Sequence, residues 1–489
     1  MQISTDSDKN KPVKYKKLGK SGLNVSICGF GSYRIDQGMN LHRQALEFAL
    51  KNGINLIDTS ANYSDGGSEL LIGQVLEGQF KAGSISRDEL VVVTKGGYMQ
   101  GENLRFALER EQSGRPYKEV VKCTADLWHC IHPRFIEDQI SASLRRLKLK
   151  KIDVYLLHNP EYYLLYTENL PAEEKTTEYY NRIKKAFLYL EKEVQRGRIS
   201  WYGISSNTFV EENSHPGFTS LEKVLEITGE KEKFNHFAVI QFPVNLLEKG
   251  GIKNINQAKN HTTLLKLASE NNLGVMINRP LNAISNEKLV RLADYEIKTE
   301  RSKDEIAAMV RDLAVQESFI TSEFVDKSDF SSSEKKSLYD CLSLASILTN
   351  NYQSFESPNH FEEIKNYYII PRADYAISQL VDRKTKDEEL IKAVKKYAFA
   401  INSVLGSIDG YLAKKHNDRN AELHEKLNTY LFEEQQKLTL SGKAVLMINS
   451  LPEVSSTLIG MRKVKFVKDM LECMRSEYVK DAYKFWLSG

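Results

Sequence analysis

Short apolar runs recur along this chain, and the stretches between them carry apolar residues three and four positions apart. The first pattern predicts buried strands and the second amphipathic helices. Strands are expected around Ile54 in GINLIDTSANY, Val91 in LVVVTKGGY, Val154 in IDVYLLHNPE and Tyr202 in GRISWYGISSN. Further ones follow around Ile240 in FAVIQFPVNLLEKG and Val275 in LGVMINRPLN, and two shorter candidates lie at residues 27–33 and 456–459. Helices such as HRQALEFALKNG and RFIEDQISASLRRLKL intervene. Strands that alternate with helices mean βα units and a parallel sheet, and six strands that each end in a polar residue, with the two shorter candidates to complete the ring, predict an α/β fold, a (β/α)8 TIM barrel. Two runs before the first barrel strand, separated by Lys20, Ser21 and Gly22, predict an N-terminal hairpin.

The alternation breaks after the sixth of these strands. Ser302 and Glu305 form a candidate capping box, and Ile391, Val394, Ala398, Ile401, Leu405, Ile408 and Leu412 follow helical spacing. Barrel connections are usually only a few residues long, so a stretch of this size reads as an inserted subdomain. The expected organisation is a disordered leader at 1–14, a first barrel portion at 15–292, a helical insertion at 293–437 and a second barrel portion at 438–489. Residues 99–133 read as a long polar connection.

Composition narrows the function classes. Hydrophobic residues make up 41% and charged residues 27%, ordinary globular values, and a net charge of +3 on 489 residues is nearly neutral. With basic and acidic residues interleaved, no nucleic-acid or membrane partner is expected. Five scattered cysteines and the lack of a long apolar run predict reduced thiols and a cytoplasmic protein. Cys123, His129, Cys130 and His132 match no common zinc spacing, so no metal is expected and their loop reads as a substrate wall.

The chemistry gathers at the strand ends. Asp58 closes one strand with Tyr63 just beyond it, Lys95 ends the next, and His158 ends the third. A nearby ammonium favours a tyrosine's phenolate and so helps it donate a proton to a carbonyl oxygen, while a carboxylate keeps that ammonium charged. His158 can hydrogen-bond the reacting oxygen.

IDTSANY, VVVTKGG and VYLLHNP together resemble the catalytic tetrad of the aldo-keto reductases, in order and each at the expected strand end. The resemblance covers roughly residues 15–290 and 438–475. It implies a nicotinamide cofactor at the C-terminal face of the barrel and hydride transfer to or from a small carbonyl or alcohol, with Tyr63 as acid or base. It also implies cofactor-binding positions: Ser205 and Gln241 for the carboxamide, Arg279 and Leu281 for the pyrophosphate, and Gly460, Arg462 and Lys463 for the adenosine end. Ser206 occupies the place of the family's usual Asn and Asn207 stands one residue later, so both are candidates for the carboxamide. Basic residues near Gly460 favour NADP over NAD by charge. Tyr33 and Trp128 are expected to wall a substrate pocket, and the insertion offers a route to oligomers. A second expectation, similar to the channel-associated members of the family, is a cofactor-sensing regulatory or scaffold protein on the same barrel.

Overall fold

The computed structural model describes residues 12–168, 170–229, 233–285, 288–355, 357–383 and 387–488, and residues 1–11 of the expected leader lie outside them. Eight parallel strands close into a barrel in sequential order around the ring. They are β1 (Cys28–Gly31), β2 (Leu56–Asp58), β3 (Val91–Gly96), β4 (Ile152–His158), β5 (Ile199–Ser205), β6 (Phe237–Pro243), β7 (Gly274–Asn278) and β8 (Ser456–Gly460). Strands β3, β4 and β6 are buried along their whole length. One face of such a strand lines the barrel and the other lies under helices, which is why their sequences are apolar at nearly every position.

Leu56, Val93, Val154, Leu156, Val239, Met276 and Leu458 pack into one interior cluster. Leu18 and Val25, from the antiparallel hairpin Tyr15–Lys17 with Asn24–Ser26, belong to the same cluster and plug the end where the strands begin. The interior is therefore filled with side chains, and polar chemistry is left to the opposite end. Register places the key positions level there: Ser205 lies beside His158 on one side and Gln241 on the other, and Asp58 beside Gly31 and Val93.

Two segments differ from the sequence reading. The connection expected to be irregular at 99–133 holds a helix, Gly101–Gln112, and a small antiparallel sheet of Tyr98–Met99, Val121–Lys122 and Trp128–His129. Only Leu104 and Ala107 of that helix are buried, too few to stand out among its charges, and two-residue strands show no alternation. After β7 the chain adds an antiparallel pair, Asn282–Ser285 with Lys288–Arg291.

Contacts divide the chain into two compact units, residues 1–292 with 427–489, and Ala293–Lys426. The second has its own core, in which Ile306, Val310 and Leu313 pack with Val394, Tyr397, Ile401, Leu405 and Ile408. The capping box forms, with the Ser302 N–H donating to Glu305 Oε2 at 2.8 Å and the Glu305 N–H to Ser302 Oγ at 3.2 Å. Among the described residues no helix is long and apolar enough to cross a membrane.

One buried acid in this unit carries a pH prediction. The Glu317 carboxylate accepts the N–H of Leu344 at 2.9 Å and of Ala345 at 3.2 Å, capping the helix Leu344–Asn351. Burial pushes its carboxyl from 4.5 up to about 7, against the pull of those two N–H groups. Between these values the folded state keeps a proton the unfolded chain has released, so stability falls as pH rises through the window and is level above it. The expected loss at this site is about 3 kcal/mol. Glu317→Gln should remove most of it, read as a smaller drop in melting temperature between pH 5 and pH 8; parallel shifts for variant and parent would refute the assignment.

Candidate active site

Asp58 is the last residue of β2 and Lys95 the fifth of β3, and both side chains are withdrawn from water, at 4% and 0% exposure. Neither charge could be held there alone. Lys95 Nζ donates to Asp58 Oδ2 at 2.7 Å, to the Thr59 carbonyl at 2.8 Å and to the Tyr63 hydroxyl at 3.4 Å. Burial works to lower the Lys95 ammonium, but Asp58 and Tyr63 outweigh it and leave it above its ordinary value. The lysine is therefore a fixed cation at neutral pH.

Tyr63 reaches that cation through a turn that costs backbone energy. Ser64 and Asp65 both have left-handed φ, 50° and 52°, which non-glycine residues rarely adopt. Ser64 Oγ donating to the Ile35 carbonyl at 2.8 Å, and the Asp65 carboxylate accepting the Glu102 N–H at 3.0 Å, hold the turn in place. The half-buried Tyr63 ring has Lys95 Nζ 5.0 Å from its centre and the Tyr33 ring edge-on at 5.1 Å. Burial raises its phenol above the ordinary value although Lys95 pulls the other way, so the group stands as a protonated acid at neutral pH.

His158, at the end of β4, has Nδ1 3.0 Å from Ser60 Oγ and its ring 6.0 Å from that of Tyr63. Burial, with Lys95 and His129 beside it, lowers the imidazole well below its ordinary value and keeps it neutral. Tyr98 meets it edge-on at 4.7 Å, and Asn159 Nδ2 donates to the Tyr98 hydroxyl at 2.7 Å. His129 is likewise neutral, pushed down to about 4 by burial, and its Nε2–H donates to the His158 carbonyl at 2.7 Å. Gly97 permits this contact, since a Cβ there would lie 2.7 Å from both atoms.

The expected cofactor positions fall into three groups. Ser205 Oγ donates to Gln241 Oε1 at 2.8 Å, and Gln241 Nε2 donates to Asp58 Oδ1 at 2.9 Å, which joins the carboxamide candidates to the ion pair. Ser206 turns inward to Thr208 and Thr219, at 3.2 and 3.3 Å, whereas Asn207 is half-exposed and its side-chain amide makes no hydrogen bond among the described residues. Leu281 is buried, and Arg279 is engaged by Glu248 at 2.8 Å. At the end of β8, Gly460 and Lys463 are exposed and Arg462 half-exposed, and neither cation forms an ion pair among the described residues.

Tyr33 is 64% exposed beside Tyr63, while Trp128 is buried with Met99, Leu104, Cys130 and Phe135 in a small core of its own. Cys123, His129, Cys130 and His132 do not converge: among the described residues no three metal-ligating side chains do. Ser60, Tyr98, Asn159 and Glu161 escaped the sequence reading, and His129 entered it only as part of a loop read as a substrate wall. Ser60, inside IDTSANY, and Asn159, inside VYLLHNP, stood close enough to a motif to be found. A cavity of about 1640 Å³ lies at the opposite end of the barrel, lined by Asn55, Val91, Asp153 and Trp201 among others, and holds none of these groups.

Comparison with known proteins gives a consistent set. The model of the aldo/keto reductase family matches residues 29–327, more than half of the chain. The NADH-specific methylglyoxal reductase of Escherichia coli (strain K12) is 31% identical over 149 residues, 29% of this chain and 40% of that protein. The putative voltage-gated potassium channel subunit beta of Schizosaccharomyces pombe (strain 972 / ATCC 24843) is 25% identical over 256 residues, 50% of this chain and 61% of that protein. The chain thus spans 40% and 61% of the lengths of these curated relatives. Among solved structures, an aldo-keto reductase from Bacillus halodurans (holo form) is similar at 20% identity, covering 62% of this chain and 82% of its own, with a TM-score of 0.36. An aldo/keto reductase from Klebsiella pneumoniae in complex with NADP and acetate is similar at 14% identity, covering 96% and 92%, with a TM-score of 0.40.

Proposed function

The chain belongs to the aldo/keto reductase family, and on that premise we propose that it is a nicotinamide-dependent oxidoreductase acting on a small carbonyl or the corresponding alcohol. The observation that carries this reading is the buried Asp58–Lys95 pair with the Tyr63 phenol 3.4 Å from its ammonium, at the end of the barrel where the strands finish. Tyr63 gives its proton to a carbonyl oxygen in reduction and takes it back in oxidation. Lys95 lies where it meets the negative charge that grows on the phenol oxygen, so it stabilises the transition state more than the ground state. Asp58 keeps Lys95 charged and in place. His158, neutral and ringed by Tyr98 and Ser60, orients the substrate oxygen.

The residues present fit a nicotinamide dinucleotide. Ser205 and Gln241 retain hydrogen-bonding capacity after their mutual bond, since the Ser205 hydroxyl oxygen can still accept and the Gln241 amide keeps a second N–H donor and a second acceptor site. Asn207 supplies an amide uncommitted among the described residues, whereas the Ser206 hydroxyl is turned inward to Thr208. Arg462 and Lys463 are cations without ion-pair partners among the described residues, suited to a phosphate at the adenosine end, while Arg279 would exchange Glu248 for a pyrophosphate. When bound, the nicotinamide supplies or accepts the hydride.

A fluorescence titration with NADPH and NADH, followed by a panel of aldehydes, ketones, sugars and alcohols that includes methylglyoxal, tests the proposal. No binding of either nucleotide would end it. The cations at 462 and 463 favour NADPH, so Arg462→Ala should weaken NADPH by about tenfold, the worth of one strong charge-assisted contact, and NADH by much less. Equal loss for both would remove Arg462 as the source of the preference drawn from charge. A second reading, a cofactor-sensing scaffold, is favoured by the separate compact unit at Ala293–Lys426. Nucleotide binding without turnover on the whole panel would favour it over the enzyme.

A further inference from the structure

Three residues beyond His158 stands Glu161, 1% exposed, and the sequence gives no hint of its use. Its side chain crosses from the end of β4 to the end of β5. There Oε1 accepts the peptide N–H of Asn207 at 2.9 Å, and Oε2 has no hydrogen-bond partner among the described residues. It forms no ion pair among the described residues either. The segment it holds is the turn that follows Ser205. Ser206 Oγ accepts the Thr208 N–H at 3.2 Å and packs with the hydroxyls of Thr208 and Thr219, and Tyr179 closes that group at 2.9 Å from Thr219 Oγ1. One carboxyl thus joins the strand that carries the neutral imidazole to the strand that carries the carboxamide candidates.

We propose that Glu161 is the positioning residue of the nicotinamide end of the site: it fixes the turn at 205–208, and with it the place at which Asn207 leaves the strand. This rests on the cofactor reading given above. A carboxyl buried this deeply, with one oxygen unpartnered, is stable as the neutral acid and costly as the anion. The titratable groups that face it are the phenols of Tyr98, of Tyr162 on its own helix, and of Tyr179 on the helix Ala172–Gln195, none of which supplies positive charge. Burial pushes the carboxyl up to about 7, with the N–H groups of Glu161, Asn207 and Thr208 and the Ser206 hydroxyl drawing it back. Charging it above that pH puts an anion where no cation faces it, relieved only by water entering beside Oε2 or by the donors of the turn moving onto it, and either shifts the geometry offered to the cofactor as pH rises.

The full-length chain decides the matter through two variants and one ligand, NADPH or NADH, whichever binds more tightly. Glu161→Ala should raise the cofactor dissociation constant and KM about tenfold with kcat changed far less, and Glu161→Gln, which keeps the acceptor oxygen for Asn207, should restore part of the loss. Measured from pH 6 to pH 8.5, the ratio of parent to Glu161→Gln dissociation constants should climb several-fold around pH 7, a comparison in which the titration of the nucleotide itself cancels. A folded Glu161→Ala that binds as the parent does overturns the proposal. Should that variant fail to fold, a flat ratio for Glu161→Gln overturns it on its own. A parent chain that binds neither nucleotide brings down the cofactor reading and this one together, whereas a parent that binds, with both arms flat, brings down this one alone.

Discussion

Tyr63→Phe is expected to lower turnover by about a thousandfold, the middle of the range that a positioned proton donor contributes, while the cofactor dissociation constant moves less than about twofold. The ring stays, so its edge-on contact with Tyr33 at 5.1 Å and its place 5.0 Å from Lys95 Nζ are kept. Lys95 loses one of three acceptors and retains Asp58 and the Thr59 carbonyl. What disappears is the proton at the reacting oxygen and the oxygen whose growing charge Lys95 meets. The pH profile adds a second check. Burial lifts the phenol above its ordinary value of 10.0, so reductive turnover should not decline between pH 6 and 9 on account of this group. A Phe variant as active as its parent would remove Tyr63 from the mechanism.

The largest stability effect should come from Asp58→Ala. Lys95 is fully enclosed, and without Asp58 its ammonium is left in the interior with one carbonyl and a phenol. Breaking a buried ion pair from one side typically costs about 3–5 kcal/mol. Gln241 Nε2 also loses its acceptor, which places the expected loss toward the upper part of that range. Removing both charges together, Asp58→Ala with Lys95→Met, should be less damaging than Asp58→Ala alone, because no unpaired ion remains. Urea unfolding of the three variants measures this. A single variant within about 1 kcal/mol of the parent would mean that the lysine neutralises itself at little cost, and the tuning role of Asp58 would fall with it.

Much of the barrel was legible because its strands are buried on both faces and so spell out continuous apolar runs. VVVT, IDVYLLH and FAVIQFP need no periodicity to be found. The helix Gly101–Gln112 and its neighbouring two-residue strands were not legible, since a structure that buries little apolar surface writes little of itself into hydrophobic pattern. The site divides in the same way. Asp58, Tyr63, Lys95 and His158 stand in motifs at strand ends, and the structure brings them together. Ser60, Tyr98, His129 and Glu161 act through contacts with residues far along the chain, such as Ser60 with His158 or His129 with the His158 carbonyl, and no local spacing announces those.

The sequence by itself determined the closed parallel barrel, the identity of the four polar strand-end residues and the presence of a long helical stretch before β8, all of which follow from local pattern and order. Tertiary structure alone decided how these residues are coupled. Gln241 bonds to Asp58, across a separation of 183 positions, because closing the ring sets the end of β6 opposite the end of β2. Asn207 is left with a side chain uncommitted among the described residues, whereas the turn after β5 packs the Ser206 hydroxyl against Thr208 and Thr219. Desolvation decided the rest: whether a histidine is neutral or a buried acid keeps its proton depends on which groups of the folded chain exclude water from it, and a linear sequence carries no record of that.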